Sequence, residues 1–90
     1  MDKVFTNLYL GGNFMSEQEW INIFGDNLVD ILKEKGMTQR ELAKAMNVEE
    51  GTISSYVHKN KMISTKNLVN MSHVLGVVID DLAYFGDKIF

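Results

Sequence analysis

Few side chains in this sequence could carry out chemistry, and their spacing does not fit a catalytic site. Serine, histidine and aspartate all occur, but nothing in their order or spacing indicates a nucleophilic triad. The two histidines, His58 and His73, cannot form a metal site alone, and the absence of cysteine excludes thiolate ligands and disulfides. The adjacent Asp80 and Asp81 fit the negative first turn of a helix better than a metal site. We therefore expect no enzymatic activity and no cofactor.

Basic side chains are concentrated in one part of the chain, as expected of a surface that approaches nucleic acid. Nine basic and twelve acidic residues give the whole chain a net charge of −3, which argues against a uniformly basic coat. Residues 35–66 contain six basic residues against three acidic ones, a net +3, and the remainder contains three against nine, a net −6. Such a distribution attracts a phosphate backbone to one side of a domain and repels it from the other.

The length and composition predict one small domain that positions these residues. The chain has 90 residues, of which 46% are hydrophobic, and it contains no proline. A chain this short rarely holds two independent cores. The first apolar run is interrupted by Asn7 and then by Gly11 and Gly12, so it fits neither a transmembrane span nor a signal peptide. We expect a cytoplasmic protein with no membrane association.

Helix starts are marked clearly along the sequence. Residues 16–19 and 38–41 both match the S/T-x-x-E capping box, in which the first side chain and the glutamate exchange hydrogen bonds with backbone amides. The first box predicts a helix that begins at Glu17. Ser64 is the candidate cap of a fourth helix, and residues 79–85 are predicted to form a fifth.

Helix ends and the buried face are also marked. Gly36 and Asn47 are predicted to end the first two helices, because both residue types tolerate left-handed backbone geometry. Gly25 is predicted to weaken the first helix, which could kink or divide there. One apolar stripe follows helical spacing along that helix and comprises Trp20, Phe24, Leu28, Ile31 and Leu32.

Two short helices joined by a tight turn follow at residues 38–57, which is the pattern of a helix-turn-helix. In the second of them, Ile53, Tyr56 and Val57 are predicted to face inward. The outward positions are predicted to be Glu50, Gly51, Thr52 and Ser55.

The stretch from about residue 28 to residue 85 resembles the lambda-repressor-like helix-turn-helix family, the phage repressor and Cro class. The matching segments are Lys35-Gly36-Met37-Thr38-Gln39-Arg40-Glu41-Leu42-Ala43, Asn47-Val48, Thr52-Ile53-Ser54, Val74-Leu75-Gly76-Val77 and Asp80-Asp81-Leu82. Each segment is short, but their order and spacing together are specific. The resemblance implies an all-α fold of five helices around one core. We further expect an extended first helix, preceded by a short N-terminal arm that the family core does not require. The resemblance also implies binding of double-stranded operator DNA as a homodimer, with residues 49–57 in the major groove.

The resemblance assigns DNA contacts residue by residue. Gln39 matches the family glutamine that contacts a phosphate and supports the recognition helix. Glu50, Gly51 and Ser55 fall where the family reads bases, while Thr52 and Ser54 flank them. The remaining predicted contacts with the DNA backbone come from Arg40, Lys44, His58, Lys59, Asn60 and Lys61.

Some positions depart from the family pattern. Glu50 repels phosphate and reads bases mainly by accepting a hydrogen bond from cytosine, and Gly51 has no side chain to read with. Glu49 stands where the family usually has a serine or threonine cap. Leu32 and Val57 occupy positions where the family often has an arginine and a glutamate, and an apolar pair can replace a buried ion pair without loss of stability.

The first part of the chain, residues 1–15, has two interpretations. The apolar and aromatic residues 4–10 could form an arm that packs on the domain or pairs across a dimer, ahead of the helix-turn-helix domain at residues 16–90. Alternatively, residues 10–15 are what a ribosome-binding sequence, a spacer and a start codon would encode, so that the native protein would begin at Met15. Mass spectrometry of the protein from its native host would distinguish these interpretations.

Two functions are consistent with this sequence. The first is a small stand-alone transcriptional regulator, a repressor of a bacterial phage or other mobile element, with dimer contacts from the last helix, from Ile89 and Phe90, or from the arm. The second is a protein-interaction module on the same fold, such as an antitoxin or antirepressor-type adaptor, which the acidic residues Glu49 and Glu50 would suit.

Overall fold

The computed structural model describes residues 16–83, and every regular element in this part of the chain is a helix. In chain order these are α1 (Glu17–Lys35), α2 (Gln39–Met46), α3 (Glu50–Val57), α4 (Thr65–Leu75) and α5 (Ile79–Ala83). The all-α, five-helix architecture predicted from the sequence is confirmed. The arm predicted at residues 1–15 and the contacts predicted for Phe85, Ile89 and Phe90 lie outside the described residues.

Side-chain caps begin three of the helices. Ser16 and Glu19 form the predicted capping box of α1, and Thr38 and Glu41 form that of α2. Ser64 accepts a hydrogen bond from the backbone amide of Asn67 at the start of α4. The cap position of α3 is Glu49, whose side chain makes no capping hydrogen bond. Helix α3 therefore starts without the local stabilisation that α1, α2 and α4 have.

Left-handed residues end the first four helices. Gly36, Asn47 and Gly76 adopt φ values of 63°, 60° and 69°, and Lys59 adopts 65° just after α3. At each end the amide of the left-handed residue and the amide that follows it bond back to carbonyls of the last turn, which is the Schellman arrangement. Glycine and asparagine are ordinary at such positions, whereas lysine is not.

Tyr56 of α3 is the centre of the core. Its side chain is 1% exposed, its ring meets Phe24 edge-on at 6.1 Å between centroids, and Phe24 in turn stacks on Trp20 at 5.3 Å. The Tyr56 hydroxyl accepts a hydrogen bond of 3.1 Å from Asn67 Nδ2 of α4. One residue of α3 thus joins α1 and α4, and the polar end of its ring is satisfied inside the protein. The remaining core residues are Leu28, Ile31, Leu32, Leu42, Ala43, Met46, Ile53, Ile63, Met71, Leu75 and Leu82.

Gly25 does not interrupt α1, so the predicted division of this helix is wrong. The helix runs without a break from Glu17 to Lys35, and Gly25 is buried within it. A β-carbon at this position would lie 2.9 Å from the carbonyl oxygen of Tyr56. The glycine is there because α1 and the end of α3 approach each other too closely for any side chain.

Side-chain amides join the other helices. Asn27 Nδ2 of α1 donates a 2.8 Å hydrogen bond to the carbonyl of Leu82 in α5, and Asn70 Nδ2 of α4 donates one of 3.3 Å to the carbonyl of Met46 at the end of α2. Helix α5 packs on α1 and α4, and α2 packs on α3 and α4. These contacts leave α2 and α3 together on one side of the molecule.

Replacing Gly25 by alanine should destabilise the protein. The added methyl group would gain about 1 kcal/mol of helix propensity, but overpacking of a buried contact costs about 1–3 kcal/mol, and the contacting atom is backbone. Urea unfolding followed by circular dichroism measures the difference. Gly51→Ala is the matched control, because Gly51 is also helical but has no atom within 4 Å of the added methyl group. A Gly25→Ala protein as stable as Gly51→Ala would contradict this explanation of the glycine.

Replacing Glu49 by serine should stabilise the protein. A serine hydroxyl at the cap position can accept the backbone N–H of Gly51, or share that of Thr52, which donates to the Glu49 carbonyl at 3.0 Å. Such a cap contributes about 1 kcal/mol, whereas the longer glutamate makes no capping bond. The thermal midpoint of unfolding reports the change. Glu49→Gln, which removes the charge without adding a short acceptor, serves as control and should give less than half of the gain.

Candidate nucleic-acid interface

The two helices of the predicted helix-turn-helix pack directly against each other. Helix α2 ends at the left-handed Asn47, and α3 begins only three residues later at Glu50. Leu42, Ala43 and Met46 of α2 and Ile53 of α3 are buried in the shared core. Because both helices are held from inside, their outward faces form one continuous surface.

All twelve residues that were predicted to contact DNA reach solvent. Helix α2 contributes the first of them, the turn after α3 contributes the last, and no member of the set is buried. The exposed members are Arg40, Lys44, Glu50, Gly51, His58, Asn60 and Lys61, and the half-buried members are Gln39, Thr52, Ser54, Ser55 and Lys59.

The start of α2 suits a phosphate group. Gln39 and Arg40 are the first two residues of this helix, where backbone N–H groups and the positive end of the helix dipole favour an anion. The carboxylate of Glu41 is turned back onto the amide of Thr38, at 2.9 Å, and is thereby occupied within the capping box. Two side chains with N–H donors therefore stand at a helix end that already attracts negative charge.

The outward face of α3 presents acceptors more than donors. The Ser55 hydroxyl donates to the carbonyl of Gly51 at 2.9 Å, so its oxygen lone pairs are what it offers outward. Glu50 is exposed in the first turn, and the space beside Gly51 is open. This face can accept hydrogen bonds from base amino groups, and it can approach a base edge closely at the glycine.

His58 is oriented by the end of α3. Its Nδ1 lies 2.9 Å from the carbonyl oxygen of Ser54 and 3.1 Å from the Ser54 hydroxyl. A carbonyl can only accept, so the contact with it is a hydrogen bond when Nδ1 carries the ring proton. The other ring nitrogen, Nε2, then accepts hydrogen bonds in the neutral ring and donates in the protonated ring.

Lys59 lies differently from the other basic residues of the set. Its ammonium group is 2.8 Å from Oδ1 of Asp26 on α1, and its backbone carbonyl accepts a hydrogen bond of 3.3 Å from Gln18 Nε2. In the structure its side chain is thus directed along α1, and phosphate contact by Lys59 stays a prediction. Arg40, Lys44 and Lys61 are exposed cations of the same region.

Asp26 and Gln18 were not among the residues predicted from the sequence to serve the interface. They stand 33 and 41 positions before Lys59, so no local spacing connects them with it. One signal was present: Gln18, Asn22 and Asp26 recur every four residues and form a polar stripe on α1, and Gln18 donates to Asn22 at 2.9 Å.

The two departures at Leu32 and Val57 come together in the structure. Both line a shallow, mainly apolar groove of about 340 Å³ between the end of α1, the start of α2 and the end of α3. Val29 and Met37 complete its apolar walls, and Leu32 is buried. Apolar packing thus joins these helices at the positions where the family often has an ion pair.

Within residues 16–83, no three metal-binding side chains cluster, and no helix combines the length and the apolar character needed to cross a bilayer. These observations concern the described helices and turns alone.

Comparisons with known proteins agree with this architecture. A family model described as helix-turn-helix matches residues 28–82, more than half of the chain. The crystal structure of a hypothetical transcription factor, NHTF, from Neisseria superposes with a TM-score of 0.73 over 82% of this chain and 85% of that one, at 24% sequence identity, and so supports the fold. No curated protein matches the sequence. The resemblance found in the sequence is confirmed, and the chain belongs to the helix-turn-helix family in its lambda-repressor-like form, a family of DNA-binding regulators.

Proposed function

We propose that this protein is a sequence-specific regulator of transcription that binds double-stranded operator DNA as a homodimer, with α3 in the major groove. The observation that carries the proposal is the paired α2 and α3, which the core holds from inside while all twelve predicted contact residues reach solvent. An α-helix fits the width of the major groove, and a second helix across it contacts the backbone.

Backbone contacts in this proposal come from α2 and from the turn after α3. Gln39 and Arg40 bind phosphate at the start of α2, and Lys44 and Lys61 add charge on either side. Asn60 and His58 provide further polar contacts at the end of α3. With so few cations per monomer, affinity is modest, and each phosphate contact adds only about 0.9 to the salt slope, which favours a dimer that doubles these contacts on two half-sites about 34 Å apart.

Base reading falls to the outward face of α3, helped by the flanking Thr52 and Ser54. The carboxylate of Glu50 accepts a hydrogen bond from the amino group of cytosine, while it repels the phosphates of a misplaced duplex. Ser55 accepts a hydrogen bond at a base edge, and Gly51 admits close approach. Recognition thus combines a small number of attractive contacts with one repulsive element.

The biological setting is part of the same proposal. Similarity to the phage repressor and Cro class favours a repressor of a bacterial phage or other mobile element, acting in the cytoplasm. Val78 and Ile79, 64% and 38% exposed at the start of α5, supply apolar surface that suits self-association.

A protein-interaction module is the second candidate. Two observations favour it: the carboxylates of Glu49 and Glu50 at the start of α3, and the apolar groove lined by Leu32 and Val57. An adaptor of this kind would bind no preferred duplex.

Gln39→Ala and Ser55→Ala should each weaken binding to the promoter region of the protein's own gene by about five- to tenfold, because a hydrogen bond to DNA is lost in each. Fluorescence anisotropy at several salt concentrations measures affinity, and circular dichroism checks the fold. His73→Ala, an exposed change on α4, is the control and should leave binding unchanged. Unchanged affinity in both variants would contradict the proposed DNA contacts of Gln39 and Ser55. Absence of both a site preference and a salt slope in the parent protein would favour the interaction module.

Glu50→Gln should reduce discrimination between duplexes. Loss of the carboxylate removes phosphate repulsion, so affinity for unrelated DNA should rise about threefold or more, while preference for a cytosine in the site falls by about 1–3 kcal/mol. Competition between a preferred and a scrambled duplex measures the ratio of the two affinities. Glu34→Gln makes the same charge change on the exposed end of α1 and should leave that ratio intact. An equal response of both variants would show that only net charge matters.

A further inference from the structure

The end of the proposed recognition helix is unusual in using a lysine as its left-handed residue. Lys59 adopts a φ of 65°, a conformation that lysine takes only at an energetic cost. The other three left-handed ends use Gly36, Asn47 and Gly76, which tolerate it. A residue held in an unfavourable conformation needs compensation from its surroundings.

That compensation comes from α1. The ammonium group of Lys59 pairs with Asp26 at 2.8 Å, and its carbonyl accepts the hydrogen bond from Gln18. Its aliphatic part crosses Gly25, with Cγ and Cε only 3.1 and 3.5 Å from where a β-carbon would stand. Charge, backbone and aliphatic stem of one residue all contact the same face of α1.

These contacts add to the packing that already joins α1 and α3, in which the Tyr56 carbonyl approaches Gly25 and the Tyr56 ring meets Phe24. That packing holds α3 through its inward face. The contacts of Lys59 lie beyond the last residue of the helix and reach further along α1, to Gln18 and Asp26. The Lys59 contacts follow the last residue of α3, so they control how its far end is aimed.

We propose that Lys59 is a positioning residue, which Asp26 and Gln18 hold on α1 so that α3 enters the major groove at one angle. In this role Lys59 determines specificity through the orientation of α3. Its ammonium group pairs with Asp26 and does not contact a phosphate. The role rests on the proposed function, since it assumes that α3 meets DNA. The attachment itself exists without DNA.

The DNA-binding test compares Lys59→Gly, Lys59→Arg and Lys61→Ala. The probes are a duplex enriched by the parent protein from a random pool and a scrambled duplex of the same composition. Lys59→Gly should lower the ratio of the two affinities about three- to tenfold and leave the salt slope unchanged, because no phosphate contact is lost. Lys59→Arg should restore the ratio, since a guanidinium can also pair with Asp26. Lys61→Ala should reduce the salt slope by about 0.9 and affect both duplexes alike.

A contrary result is equally clear. If Lys59→Gly weakens both duplexes alike and lowers the salt slope by about 0.9, Lys59 is a phosphate ligand and the proposal is overturned.

Thermal unfolding without DNA tests the attachment by itself. If the side chain of Lys59 made no stabilising contact, Lys59→Gly would relieve the left-handed strain and raise Tm by about 4–8 °C. We expect no such rise, and we expect Asp26→Asn to lower Tm in the parent but not in the Lys59→Gly background. Asn47→Gly is the matched control at another left-handed end: Lys59 still pairs with Asp26 in that background, so Asp26→Asn should lower Tm there as much as in the parent. Additive effects of Asp26→Asn and Lys59→Gly would refute the attachment. A parent protein that binds no duplex would refute only the DNA-binding function.

Discussion

The fold depends most on the contact between Tyr56 and α1. The ring is buried against Phe24, the hydroxyl is bonded to Asn67 of α4, and the backbone carbonyl lies against Gly25. Through this one residue α3 is held by two other helices, in addition to its packing with α2. A short helix of eight residues is marginal by itself in water, so its order comes from this packing.

The ion pair of Lys59 with Asp26 has the opposite character. It is partly exposed, with side chains 38% and 56% accessible, and a pair of this kind adds about 0.2–1 kcal/mol. Its contribution to stability is small beside that of Tyr56. Because it lies at the end of α3, however, it affects the direction of that helix. Buried packing sets where the helix is, and a weak polar contact suffices to set where its end is aimed.

Prediction from the sequence succeeded where the physical cause is local. Capping boxes connect residues three apart, and the left-handed ends at Gly36 and Asn47 follow from residue type, so both could be read from short segments. The fifth helix was predicted at residues 79–85 and is described from Ile79 to Ala83.

The failure at Gly25 has a different cause, because the atom that requires a glycine there belongs to Tyr56, 31 positions later. Lys59 was likewise interpreted from its neighbours, while its partner Asp26 stands 33 positions earlier. Contacts between distant positions are not visible in local patterns. Contacts with DNA involve a molecule outside the chain, so those predictions rest on family resemblance.

The inward face of α3 is constrained by packing in the core, and its outward face is not. Ile53 and Tyr56 keep the helix in place, whereas Glu50 and Gly51 make no contribution to the core, and a β-carbon added at Gly51 would have no atom within 4 Å. Substitutions on the outer face therefore meet little resistance from folding. If α3 meets DNA as we propose, a domain built in this way can acquire a new target sequence through a few substitutions on that face, while its scaffold persists.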